Sequence, residues 1–176
     1  MTTNTTTKKT TSRTRKTPTK SAPRAKEIKK LPPNPFMNEI LDLAHEQKTD
    51  QDKVKVLQEY ANDALKTLLI WNFDESIISL LPTGEVPYQP NESPLGVDHS
   101  SLRRDYKNLY NFVKGGNDSL SKIRRETIFI QILESLHPNE ADVLVLVKDK
   151  NLEDKYDISF DVVKQAYPDI VWGNRS

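Results

Sequence analysis

The chain has 176 residues and a mass of 20.2 kDa, enough for one domain with appendages. It contains no cysteine, which excludes disulfide frameworks, thiolate zinc sites and cysteine nucleophiles and fits a reducing compartment. The net charge of +1 conceals two opposed parts: residues 1–30 hold ten Lys and Arg against Glu27 alone, a net of +9, which leaves sixteen basic and twenty-four acidic side chains, a net of −8, on the rest.

From the N-terminus, residues 1–33 read as a basic tail of Thr, Ser, Pro, Ala, Lys and Arg with almost nothing to bury. Such a composition cannot offset roughly 1–2 kcal/mol of backbone entropy per residue, so the tail is expected to be disordered. Lys8, Lys9, Arg13, Arg15, Lys16, Lys20 and Arg24 are spaced along it as in arms that track a nucleic-acid backbone. A second reading stays open at this point, a solubilising leader that folds back onto its own acidic body. The N-terminal residues contain no apolar core of a secretion signal, so secretion is not expected, and no run in the chain approaches the roughly 18 apolar residues of a membrane span.

The body is expected over 34–172, with 173–176 as a short end. Asn34 as N-cap and Pro35 at the first helical position predict helix one over 35–46. Asp50 then caps a second helix through Val54, Leu57 and Ala61, and Ala64 to Trp71 reads as a third. A short fourth is predicted over 74–81, where Asp74 and Glu75 look like first-turn acids rather than a catalytic pair. Pro82, Gly84, Pro87, Pro90, Pro94 and Gly96 mark 82–98 as a loop. Helix five is predicted over 100–114, stopped by Gly115-Gly116. Asn117 or Asp118 caps helix six, Pro138 opens helix seven around the apolar run Val143 to Val147, and Ser159 caps helix eight, which Pro168 ends. The expectation is an all-α domain of seven or eight short helices without internal repeats.

No phosphate-binding loop, metalloprotease helix or nucleophile elbow occurs, so neither catalysis nor a cofactor is expected. With His45, His99 and His137 far apart in sequence, no metal site is expected either. One segment stands out: Lys114-Gly115-Gly116-Asn117-Asp118-Ser119-Leu120-Ser121-Lys122-Ile123-Arg124-Arg125 joins a flexible turn to a helix start. Exposed N–H groups, the helix dipole and nearby cations together suit a phosphate, while Asp118 would repel one. Gly115, Gly116, Asn117, Ser119, Ser121, Lys122, Arg124 and Arg125 are therefore candidate DNA contacts. The same residues also read as a plain helix stop and cap. Tyr106, Tyr110 and Phe112 offer rings for base stacking, although their spacing fits a core face better.

Several stretches carry a resemblance. Lys53-Val54-Lys55-Val56-Leu57 with Asn62-Asp63-Ala64-Leu65, Gly116-Asn117-Asp118-Ser119-Leu120-Ser121-Lys122, His137-Pro138-Asn139-Glu140-Ala141, and Lys150-Asn151-Leu152-Glu153 before Ala166-Tyr167-Pro168 resemble, in order, the α-helical DNA-binding domain that precedes the catalytic core of ATP-dependent DNA ligases. The ligase nucleophile motif Lys-x-Asp-Gly is missing. The resemblance implies a ligase-like helical domain without the catalytic domains, resting on duplex DNA, nicked or intact, with Lys150 and the helix start at Ser159 as further contacts. Segments such as Trp71-Asn72-Phe73-Asp74 and Pro168-Asp169-Ile170-Val171-Trp172-Gly173 are similar to a protein family of T4-like phages, cyanophages above all. That second resemblance implies a setting, the cytoplasm of an infected bacterium or the virion.

Together they point to a non-catalytic accessory protein of DNA replication, recombination or repair, with DNA and a replication protein of phage or host as partners. Two alternatives follow from the same features: a module that binds a phage or host protein, with the 82–98 loop and the 157–176 end as natural contacts, Trp172 being either exposed there or folded back to seal the core, and an internal virion protein whose arm touches packaged DNA. One contiguous basic face made by Arg103, Arg104, Lys107, Lys122, Arg124 and Arg125 would favour DNA.

Overall fold

A computed structural model of the chain describes residues 1, 28–94 and 97–175. These form an all-α body: α1 (Met37–His45), α2 (Asp50–Glu59), α3 (Asp63–Phe73), α4 (Leu102–Asp105), a 3-10 helix (Tyr106–Phe112), α5 (Lys122–Ser135), α6 (Pro138–Lys148), α7 (Leu152–Tyr156) and α8 (Phe160–Ala166). Extended pairing among the described residues is limited to isolated bridges, Ser79 with Val113 and Ser100 with Leu136.

The apolar run of α6 follows from its place. It packs against α1, α3, α5 and α7, so Ala141, Val143, Leu144 and Val147 are all removed from water and the helix carries no broad polar face. A buried carboxylate ties this axis to its neighbours. Glu140, fully buried, accepts the backbone N–H of Met37 at 3.0 Å and that of Leu102 at 2.9 Å, the first residues of α1 and α4. Two helix N-termini thus share one anion, which suits the positive end of each dipole. On the other side α2 packs on α1 and α8, and the Tyr167 hydroxyl donates to the Leu57 carbonyl at 2.6 Å.

Local caps explain several boundaries. Asn62 accepts from Leu65 N–H at 2.9 Å at the start of α3, His137 Nδ1 from Asn139 N–H at 3.3 Å before Pro138, and Ser159 Oγ from Val162 N–H at 3.4 Å before α8. Others differ from expectation. Asn34 sits at φ 56, a left-handed conformation that excludes it as N-cap, so α1 begins at Met37 with Glu39 reaching back to Phe36 N–H at 2.8 Å. Thr49, rather than Asp50, caps α2.

Residues 28–33, assigned above to the tail, lie on the body: Leu31 N–H donates to the Tyr60 hydroxyl at 2.9 Å, and Ile28 and Leu31 pack against the core. Within 82–98 the described residues form no helix, and Lys148 holds the start of the segment through the carbonyls of Pro82 at 2.7 Å and Gly84 at 3.1 Å.

Two predicted helices do not form as expected. Over 74–81 the Asp74 carboxylate takes Ser76 N–H at 2.9 Å and closes a turn, after which Leu80 N–H donates to Phe112 O and Lys114 N–H to Ile78 O. Those long-range bonds claim the backbone groups that a helix would need. The expected helix over 100–114 divides into α4 and the 3-10 helix. At three residues per turn, Tyr106, Leu109 and Phe112 align on one side, which buries Leu109 and Phe112 and seats Phe112 between Trp71 (centroids 6.3 Å) and Phe129 (5.1 Å). The C-terminal segment folds back on the body: Trp172 is half-buried, edge-on to Phe160 at 4.8 Å.

Candidate nucleic-acid interface

The turn between the 3-10 helix and α5 is built from backbone outward. Gly115 adopts φ 80 and its N–H donates to Asp118 Oδ1 at 3.0 Å, while Gly116 N–H donates to Val113 O at 3.2 Å. A Cβ on Gly116 would stand 1.9 Å from the Tyr110 carbonyl oxygen, so glycine there answers to the protein's own backbone. Asn117 donates from Nδ2 to Asn111 Oδ1 at 2.8 Å and accepts the Ser119 hydroxyl at 2.9 Å. The cap of α5 is Ser121, whose Oγ accepts Arg124 N–H at 3.3 Å. Asn117 and Asp118, the expected caps, are already engaged by Asn111 and Gly115.

Arg125 has a different role from the one predicted. It is 6% exposed, and its guanidinium donates from Nε to Asn111 O at 2.8 Å and from Nη2 to Asn117 O at 3.1 Å. It braces the turn from inside and cannot meet a phosphate outside. Its neighbours face water: Lys122, with its side chain 76% exposed and only a loose contact to Glu126 at 3.9 Å, Arg124 and, before the turn, Lys114.

The expected basic face is thinned in the same way. Arg103 is half-buried and donates to Pro35 O at 2.8 Å, whereas Arg104 and Lys107 stay exposed. The free cations lie along α4, the 3-10 helix and the start of α5, which pack in that order. Lys150 and Ser159 do not join them. Lys150 is half-buried and donates to Asp74 O at 2.8 Å, and burial holds its pKa below the usual lysine value against the opposing pull of Asp74 and Glu75. Ser159 caps α8, which packs on α2. Lys8, Lys9, Arg13, Arg15, Lys16, Lys20 and Arg24 lie outside the described residues.

One feature of this surface has no sequence signal. Between α3 and the 3-10 helix runs a cleft of about 320 Å³ whose walls include Trp71, Tyr106, Lys107, Tyr110, Val113 and Arg175. Arg175 is brought there by Asp74, which accepts its Nε at 3.0 Å and Gly173 N–H at 2.9 Å. Burial pushes the Asp74 pKa up, but hydrogen bonds from Ser76, Gly173 and Arg175 outweigh it and hold the carboxyl below the usual range. Residues a hundred positions apart thus share one wall, which no local pattern announces.

Among the described residues no cluster of three or more His, Asp or Glu could hold a metal ion, and no helix is long and apolar enough to cross a membrane. A sequence profile of DUF6433, described as a family of unknown function, matches residues 40–154. No curated protein and no solved structure matches the chain.

Proposed function

We propose that this chain, which belongs to the DUF6433 family of unknown function, is a non-catalytic DNA-binding accessory protein that grips phosphates without reading sequence, in the replication, recombination or repair of a tailed phage. The observation that carries the reading is the Arg125-braced turn. Internal hydrogen bonds fix its backbone, while Lys114, Lys122 and Arg124 beside it remain in water. Cations on a rigid support lose less freedom on meeting a phosphate than cations on a loose loop. The ten basic residues among the first thirty supply further phosphate attraction, and contacts of this kind position a protein without specifying a sequence. The phage setting rests on the family resemblance set out above.

The test is fluorescence anisotropy on nicked duplex, intact duplex and single strands across a salt series. If about six cations engage phosphates, log K falls against log salt with a slope of about −5. Replacing Lys8, Lys9, Arg13, Arg15, Lys16, Lys20 and Arg24 by Gln in the full chain should flatten that slope, and Lys122→Gln with Arg124→Gln should weaken what remains. Absence of binding to all three DNA forms at low salt overturns the reading.

The body's net charge of −8 beyond residue 30 favours a second reading, a module for a protein partner. A separate cleft of about 170 Å³ beside the 82–87 segment has Val86, Pro87, Phe129 and Ile130 on its walls and Glu126 at its edge. Binding of a phage or host replication protein that survives the tail and turn substitutions would favour this reading over DNA.

A further inference from the structure

We infer that the cleft between α3 and the 3-10 helix receives an unpaired base of single-stranded DNA, with Tyr106 and Tyr110 as the stacking residues and Lys107 on the adjoining phosphate. The inference deepens the DNA-binding reading and rests on it, since it names the form of DNA the body takes.

Three observations support the cleft as a base site. First, its aromatic content is not all spent on the core. Phe112 is fully buried between Trp71 and Phe129, but Tyr110 is 53% exposed and Tyr106 half-buried, and both stand on the cleft. An exposed tyrosine at a concave site offers a π face at low conformational cost, and base–aromatic stacking tolerates any sequence. Second, Trp71 lines the cleft together with Ile70, Ile77 and Leu109, so much of the wall beside the two tyrosines is apolar. An apolar wall of this kind suits the flat face of a base. Third, the charge around the opening complements a nucleotide. The Lys107 ammonium lies 6.0 Å from the Tyr106 ring centre, Arg175 forms part of the wall, and exposed Lys114 follows Val113 of the same wall.

Of the acids nearby, Asp74 is bonded to Arg175, while exposed Asp63 makes only a long contact, 3.5 Å, with the Tyr106 hydroxyl. The cleft adjoins the braced turn, because Gly116 rests directly on the backbone of Tyr110, which lines it. A strand with one base in the cleft would pass exposed Lys114, which follows Val113 of the wall, on its way toward the turn.

Single strand is the form favoured. In a duplex the bases are stacked on one another and present only their edges, so a ring at the cleft gains a base face only after that base has been unstacked. The volume lies at the lower end of the range, roughly 300–1,000 Å³, of pockets that hold small molecules.

The experiment measures the affinity of the full chain for a labelled 12-nucleotide strand and for the matching duplex at one salt concentration, with Tyr110→Ala, Tyr110→Phe and Lys107→Gln beside the parent. Expected is a preference for the strand, a loss of roughly 5- to 100-fold in strand affinity for Tyr110→Ala with duplex affinity unchanged, retention in Tyr110→Phe and a smaller loss in Lys107→Gln. Thermal melts check each fold, and should Tyr110→Ala prove unstable, the exposed Lys107→Gln change decides alone. DNA binding with no strand preference, or with strand affinity untouched by these changes, overturns the cleft inference and leaves the phosphate-binding reading standing. Failure to bind any DNA overturns both.

Discussion

The axis of the bundle and the surface from α4 to the start of α5 use the same kinds of residue for opposite ends. Around α6 the charged groups are spent on architecture: Glu140 pins two helix starts, and Lys148 holds the carbonyls of Pro82 and Gly84. Along the α4–α5 surface Arg104, Lys107, Lys114, Lys122 and Arg124 stay in water. Arg124 and Arg125 bring the contrast down to adjacent positions, one exposed and one buried with two backbone carbonyls. A charge is available for function when no backbone group has claimed it, and residue type alone does not say which case holds.

That contrast can be broken from the inside first. Glu140→Ala strands the N–H groups of Met37 and Leu102 away from water and should cost about 2–4 kcal/mol in urea unfolding. Next, Arg125→Ala should destabilise by about 2 kcal/mol, whereas Arg124→Ala should stay within about 0.5 kcal/mol. Equal effects in thermal melts would erase the distinction between the two arginines. Gly116→Ala forces the turn away from Tyr110 and should cost about 1–3 kcal/mol, lowering DNA affinity along with stability.

The smallest effects lie in the pH dependence, where two buried carboxylates should pull in opposite directions. Burial raises the Glu140 pKa more than its two N–H partners lower it, so the native state holds its proton to higher pH than the unfolded chain does. Its contribution is present below the usual Glu range and lost as pH rises through the folded value. Asp74 is held low by its hydrogen bonds in spite of burial, so its contribution is present above the usual Asp range and lost as pH falls through the folded value. Glu140→Gln should flatten the upper slope and Asp74→Asn the lower one in a series of urea melts. Asp74→Asn should also loosen the segment around Gly173 and Arg175, seen as faster amide exchange there.

Much of the helical framework was legible. The stretches that became α2, α3, α6 and α8 carry apolar positions behind polar capping residues, and Pro138 opens α6 where expected. Where the reading failed, a partner from elsewhere had taken the local signal. Asp74 and the residues after it looked like a helix start until Phe112 and Lys114 claimed the backbone of Ile78 and Leu80. Asp118 looked like a cap until Gly115 bonded its carboxylate, which left the cap to Ser121. At the candidate interface the turn and its cations were visible as a run of residues, but the cleft beside it was not. Its walls come from α3, the 3-10 helix and the C-terminal segment, three parts of the chain with no shared pattern.

The sequence by itself determined the all-α character, the cap at Ser159 and the concentration of positive charge before residue 31, because each depends on neighbours within a turn or on composition. The tertiary structure decided which charges are buried, which predicted helix gives way to a turn, and where aromatic rings remain exposed. Those outcomes depend on contacts such as Glu140 with Met37, 103 residues away, and on the competition of distant groups for the same backbone hydrogen bonds.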